Sequence, residues 1–384
     1  MANTPLPDGE PQWNSKPQFR LPGWAEPIMV ASILFGSMVL TRRHGYKIFD
    51  RRRNTYGLLS EEPDSARSRR FDVDVEISPK KRRCCGTNLL TPNTSRFRDY
   101  YHSRILQKFP FLIEMFYWIV TYAFYRCTKI LSQAMFSKMG IWDVAQDHGL
   151  AILEFEEFSW MSFLWPVREQ DVQKWFLNGH GTLLTVLNRS YALIHIPGTV
   201  GTISYNFCNR SPHHDSYQSF RLLHLYPLPM YATASSSPEY GFLDSVGRNN
   251  AQSVWMQGNY VNSLAAMPSM HFGYSFCIGV TLIYHSGLFR RNLETGEKRK
   301  NKFWMLFYVF LGLAYPLYIL ITIVATANHY YLDAFVAFFV AIAAFLCNRI
   351  FLILLPVEDL LFWCLRLEKP IPTTGDRFRR KSSR

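Results

Sequence analysis

The sequence predicts an all-α fold: a polytopic helical bundle in a membrane, with about six to seven transmembrane helices. Two observations predict it. The chain is 48% hydrophobic and 18% charged, and its charge is segregated: Phe303–Thr326 carries none and Tyr331–Pro356 almost none. A soluble domain instead spreads charge over about a quarter of its residues. The second observation is the placement of the net charge of +13. Residues 42–108 hold 17 Lys/Arg against 8 Asp/Glu, and further basic runs are Arg290-Arg291, Lys298–Lys302 and Arg377–Arg384. Each adjoins an apolar stretch, the positive-inside pattern of cytoplasmic loops. No zinc-ligand spacing, RNA-binding aromatic motif or basic heptad region accompanies them, so nucleic acid is not an expected partner.

Residues 1–20 are Pro-rich and polar and read as a disordered N-terminus. Residues 21–41, with Trp24 at an interface, read as a transmembrane helix around the apolar run Ile28–Leu40. The positive charges Arg42-Arg43 follow that run, opposite to a cleavable signal. Residues 42–108 lack periodicity and read as a flexible, basic cytoplasmic linker. The seven cysteines form no disulfide framework: most fall in or near apolar segments as packing residues, and Cys84-Cys85 follow four basic residues in a solvated loop.

The bundle is expected over 109–356. Phe109–Phe136 is its first apolar helix. Asp147–Val167 mixes Leu150, Leu153 and Phe155 with Glu154, Glu156 and Glu157, which suits an interfacial amphipathic helix. Gly181–Phe207 reads as one span that holds Arg189 and His195. Phe220–Tyr231 is short for a span, about 18 Å as a helix. Met270–Phe289, Phe303–Thr326 and Tyr331–Leu354 are the last three long helices, before a basic cytoplasmic tail over 357–384.

Two histidine motifs carry chemistry. Pro268-Ser269-Met270-His271 opens one helix, and Asn328-His329-Tyr330-Tyr331-Leu332-Asp333 opens another. A helix start with Pro268 and Ser269 favours an anion. His329 and Asp333 are four residues apart, so one helical face presents both, and the carboxylate can orient the ring. The hairpin of Met270–Phe289 and Phe303–Thr326 returns His271 and His329 to one membrane face. That set suits phosphoryl transfer: attack by His329, orientation by Asp333 and protonation of the leaving oxygen by His271.

These motifs resemble the type 2 phosphatidic acid phosphatase superfamily. The longer resemblance, over about 147–354, is to its inositolphosphotransferase branch, which includes the inositol-phosphorylceramide synthases. Tyr191-Ala-Leu-Ile-His195-Ile-Pro197, Glu239-Tyr-Gly-Phe-Leu-Asp244 and Ala265–Gly273 carry it further. The resemblance implies His329 as nucleophile, Asp333 as its partner and His271 as general acid. It also implies membrane lipids as substrates, no metal or other cofactor, and an endomembrane (Golgi-like) location with the site facing the lumen or outside. Protein partners are not indicated.

The chain departs from that pattern in its basic residues. Thr322–Asn328 contains no Lys or Arg, and Pro227-Leu228-Pro229-Met230-Tyr231 stands where the branch carries Pro-Pro-Arg. Ser269, His195, Arg189 and Arg248 are the remaining candidates for holding phosphate. Against this, Arg189 would only snorkel to an interface, Arg248 would be a solvated loop charge, and His195 would be a helix–helix hydrogen-bond donor. The expected function is a lipid phosphotransferase. The alternatives are a lipid phosphate phosphatase, or a weak or inactive homologue that binds lipid head groups. A channel or transporter is disfavoured, because the charged groups gather at one face.

Overall fold

The structure, a computed structural model, is mostly helical. It describes residues 24–44, 79–136, 141–158, 166–208, 265–289, 301–347 and 353–370, except 85 and 194, together with 46, 48, 49, 163, 230, 231, 242 and 245. The helices among them are α1 (Ala25–Leu40), α2 (Tyr101–Lys108), α3 (Phe111–Phe136), α4 (Ile141–Phe158), α5 (Glu169–Leu177) and α6 (Gly181–Leu193). They continue with α7 (His195–Cys208), α8 (Met270–Ser286), α9 (Lys302–Ala325), α10 (Tyr331–Leu346) and α11 (Leu355–Cys364). Two antiparallel ladders pair β1 (Lys80–Cys84) with β2 (Thr87–Thr91) and β3 (Met230–Tyr231) with β4 (Ala265–Met267).

Among the described residues one helix, Lys302–Ala325, is long and apolar enough to cross a membrane; Ala25–Leu40, Phe111–Phe124 and Tyr331–Leu346 are shorter apolar stretches. The expected single span Gly181–Phe207 is two helices. Residue 194, between Gly181–Leu193 and His195–Cys208, lies outside the described residues. The last long helix ends at Leu346 rather than Leu354. Residues 220–229 of the short expected span lie outside the described residues, and Met230-Tyr231 are strand rather than helix.

The chain divides into two compact units. The first comprises Met1–Ile33, Thr121–Ile203 and Ser219–Phe345. Its centre is the antiparallel pair α8–α9, which cross where both helices carry glycine. A Cβ on Gly279 would lie 2.3 Å from the Gly312 carbonyl oxygen and 2.8 Å from Pro316 Cγ. One on Gly312 would lie 2.6 Å from Ile283 Cγ1. The helix axes therefore approach as closely as backbone allows, as small residues permit in membrane bundles. The C-terminal half of α9 is core: Ile319, Ile323 and Val324 pack with Tyr191 and Ala334, and Ala325 packs with Phe176, Leu184 and Leu187. Its other half is apolar but outward, with Phe303, Leu306, Phe310, Leu313 and Leu317 exposed.

The second unit comprises Leu34–Val120, Ser204–Gln218 and Leu346–Arg384. Of the expected linker over 42–108 and basic tail over 357–384, residues 79–108 fold onto α11 and the segment after it, while 50–78 and 371–384 lie outside the described residues. Several of the charges there are paired. Asp359, almost fully buried, accepts from Arg82 Nε (2.8 Å) and Nη2 (3.2 Å) and from Thr91 Oγ1 (2.8 Å). Lys369 Nζ reaches Glu358 at 2.8 Å, and the Tyr117 hydroxyl donates to the same carboxylate. Leu106, Ile113 and Phe362 form the apolar centre beneath them.

Gly279→Ala should therefore force α8 from α9 and destabilise the protein by about 1–3 kcal/mol. Gly36→Ala, with open space at its Cβ in the interior of α1, should be neutral or stabilising by up to about 1 kcal/mol. Thermal unfolding of both variants checks the contrast. In the second unit Asp359→Ala should cost about 3–5 kcal/mol, because it removes the buried carboxylate that Arg82 and Thr91 both bond. A denaturant midpoint unchanged from wild type would contradict that.

Candidate active site

The turn between α9 and α10 places the second histidine. Ala327 takes a positive φ of 53°, its N–H bonds to the Val324 carbonyl (3.0 Å), and Asn328 N–H reaches back to Ile323 (3.1 Å). This is a Schellman closure with alanine in the left-handed position that glycine normally fills. The chain reverses within four residues, and His329 emerges just ahead of α10.

His329 is buried, and its Nδ1 lies 3.2 Å from Asp333 Oδ2. The same oxygen accepts the Tyr330 N–H at 3.0 Å. Asp333 is fully buried, its Oδ2 takes both bonds, and its Oδ1 has no hydrogen-bond partner among the described residues. A carboxylate on Nδ1 makes that nitrogen the protonated one and leaves Nε2 with its lone pair. His329 makes no other side-chain hydrogen bond with a described residue.

The first histidine comes to the same place. Ser269 caps α8, with its Oγ accepting the Phe272 N–H (3.3 Å), and its own N–H bonds to the Asp333 carbonyl (3.1 Å). That main-chain link ties the start of α8 to the start of α10. The His271 ring stacks on Tyr191 at 4.1 Å and lies 4.5 Å from His195 and 5.7 Å from His329, centroid to centroid. Three imidazoles and one tyrosine ring thus converge from α6, α7, α8 and the turn before α10. His195 is buried, and its Nδ1 finds no partner among the described residues.

Of the other expected phosphate-holding residues, Ser269 lies beside the rings and is buried. Arg189 does not join them. It precedes Tyr191 by two residues, about 200° around α6, so it faces away from His271; it is half-buried and makes no hydrogen bond or ion pair with a described residue. Arg248 lies outside the described residues. Neither His271, His329 nor Asp333 pairs with a Lys or Arg among the described residues.

Two residues escaped the sequence reading. Glu156 Oε1 accepts the Leu332 N–H at 2.6 Å, and Glu169 Oε1 accepts the Tyr331 N–H. Both side chains are buried at the start of α10. Burial pushes the Glu156 carboxyl up to about 7, aided by the neighbouring Asp333, and raises Glu169 well above the usual range, aided by Glu156 and Asp333. A signal for Glu156 was available: it falls three and four residues after Leu153 and Ile152, on the buried stripe of α4 rather than its polar face. Glu169 carried no comparable signal.

Residues 153–292 match the sequence model of the PAP2 superfamily. The match spans Glu156, Glu169, His195, Ser269 and His271 and stops short of His329, so the second motif joins the first by geometry alone. It points to phosphatase or phosphotransferase chemistry on phosphate esters. No curated protein and no solved structure matches the chain significantly.

Proposed function

We propose that the chain is a multi-pass membrane enzyme of lipid phosphate-ester metabolism that works through a phosphohistidine on His329. The observation that carries this reading is the joint placement of His329, bonded through Nδ1 to Asp333, and His271, whose ring lies 5.7 Å away. His329 Nε2 attacks phosphorus and the bond to the leaving oxygen breaks. His271 gives that oxygen its proton. An acceptor hydroxyl then attacks the phosphohistidine and returns a proton to His271, which frees His329. A lipid alcohol as acceptor makes the enzyme a transferase of phospho-head groups, the sphingolipid-type reaction that the inositolphosphotransferase resemblance suggests. Water as acceptor makes it a phosphatase.

The outward apolar stripe of α9 supports the membrane assignment, since a soluble protein rarely leaves so long a run of Phe and Leu uncovered. With the basic loops on the cytoplasmic side, both histidines face the lumen or exterior of an endomembrane such as the Golgi. A second reading, a weak homologue that binds head groups, is favoured by one observation. No Lys or Arg bonds to the His271, His329 or Asp333 side chains among the described residues, whereas phosphoryl transfer normally meets its charge with a cation.

His329→Ala should abolish turnover and the acid-labile phosphoprotein trapped from a labelled phospholipid. Asp333→Asn should cost on the order of 10⁴, by analogy with the serine-protease aspartate, and His271→Ala should hurt most with poor leaving groups. Full activity in His329→Ala would end the covalent reading. Met230 pairs in register with Met267, four residues ahead of His271, so Met230→Arg should add a cation on the strand next to the one that leads into α8. Turnover should rise about 10²-fold, the scale of one electrostatic donor; unchanged turnover would show that the absent base is not what limits the rate.

A further inference from the structure

Glu156 in α4 and Glu169 in α5 sit behind His329, outside the set that touches phosphate. Each takes one N–H of the first turn of α10, from Leu332 and Tyr331, and the neighbouring N–H of Tyr330 goes to Asp333. The two carboxylates accept adjacent N–H groups and are both buried, so they lie close together. Two ionised carboxylates so placed repel, and one proton shared between them relieves the repulsion. The start of α10 is thereby held from three directions, and His329 is the residue immediately ahead of it.

We propose that Glu156 and Glu169 are a proton-sharing pair of positioning residues that fixes the start of α10 and so aims the His329 ring. This rests on His329 being the nucleophile of the proposed reaction. The pair never touches substrate; it acts through Tyr331 and Leu332. The groups that face it are Asp333 and the Tyr331 hydroxyl from α10, with His329 beyond Asp333. Nearby Arg168 bonds Glu157 instead, at 3.6 Å on the exposed side.

With one proton the cluster holds two negative charges on three carboxyls, opposite three backbone donors and the positive end of a helix. Loss of that proton puts a third charge into the same buried space and pushes Glu156 and Glu169 apart. The folded protein binds the proton more tightly than the unfolded chain, because the carboxyl held near 7 in the fold has an ordinary value of 4.5. Stability from the pair is therefore full at low pH and is lost as pH rises through about 7.

The test uses purified full-length protein in lipid nanodiscs, with Tm and steady-state kinetics followed from pH 5.5 to 8.5. Wild type should lose Tm as pH rises from 5.5 to about 7 and level off above it, and kcat should fall around pH 7. Glu156→Gln and Glu169→Gln each supply an amide that accepts the same backbone N–H and donates to the partner carboxylate. They should flatten the Tm slope and move the alkaline fall in kcat upward. Glu156→Ala should lower kcat about 10²-fold, the scale of a misplaced catalytic group, with KM little changed. An unaltered Tm slope in the double glutamine variant overturns proton sharing. Wild-type kcat in a folded Glu156→Ala protein, or equal losses in the Ala and Gln variants, overturns positioning. The Tm arm needs no turnover, so it decides the pair even if His329→Ala shows the covalent reading to be wrong.

Discussion

The first turn of α10 is the constraint on which the site depends. Its backbone offers N–H groups that no helical carbonyl can take, and three of these, from Tyr330, Tyr331 and Leu332, go to Asp333, Glu169 and Glu156. Asp333 belongs to α10 itself, while Glu169 and Glu156 reach its first turn from α5 and α4, 162 and 176 residues earlier in sequence. The Ser269 N–H adds a fourth tie, to the Asp333 carbonyl, and brings α8 with it. An unpaired buried donor costs about 1–3 kcal/mol. Breaking any of these bonds thus disturbs the stability of the unit and the aim of His329 together.

The α8–α9 crossing sets the other dimension. Because Gly279 and Gly312 allow backbone contact, the start of α8 and the end of α9 are held close, and the rings of His271 and His329 come within 5.7 Å. Tyr191, stacked on His271, is part of the same apolar cluster as Ile319, Ile323 and Ala334. The packing that stabilises the helices also fixes the imidazole that would carry the proton. Fold and site share their residues here.

What the sequence made legible follows from this. Long apolar helices and the two histidine motifs announce themselves locally, since the signal for α8, α9 and the His329–Asp333 pair lies within a few residues. Burial of charge does not. Arg82 and Arg98 read as part of a solvated linker, yet their partners Asp359 and Glu368 lie about 270 residues away. Glu169 binds a backbone N–H 162 residues on, which no local pattern encodes. Arg189 stands apart for a different reason: it lies inside an apolar run, but the helical phase relative to Tyr191 turns it away from His271.

The three carboxyls also bear on which phosphate ester the site accepts. The N–H groups that would ordinarily welcome an anion at the start of α10 already hold protein oxygens, and the start of α8 is left as the facing dipole. A charge about 6 Å from a carboxylate costs about 3 kcal/mol per unit at an effective dielectric near 20. A phosphate monoester dianion meets that repulsion twice over, while a phosphodiester carries one charge and meets it once. With no Lys or Arg bonded to His271, His329 or Asp333 among the described residues, the difference is not offset by those contacts. For the proposed reaction, these electrostatics weigh more against a dianionic monoester than against a diester.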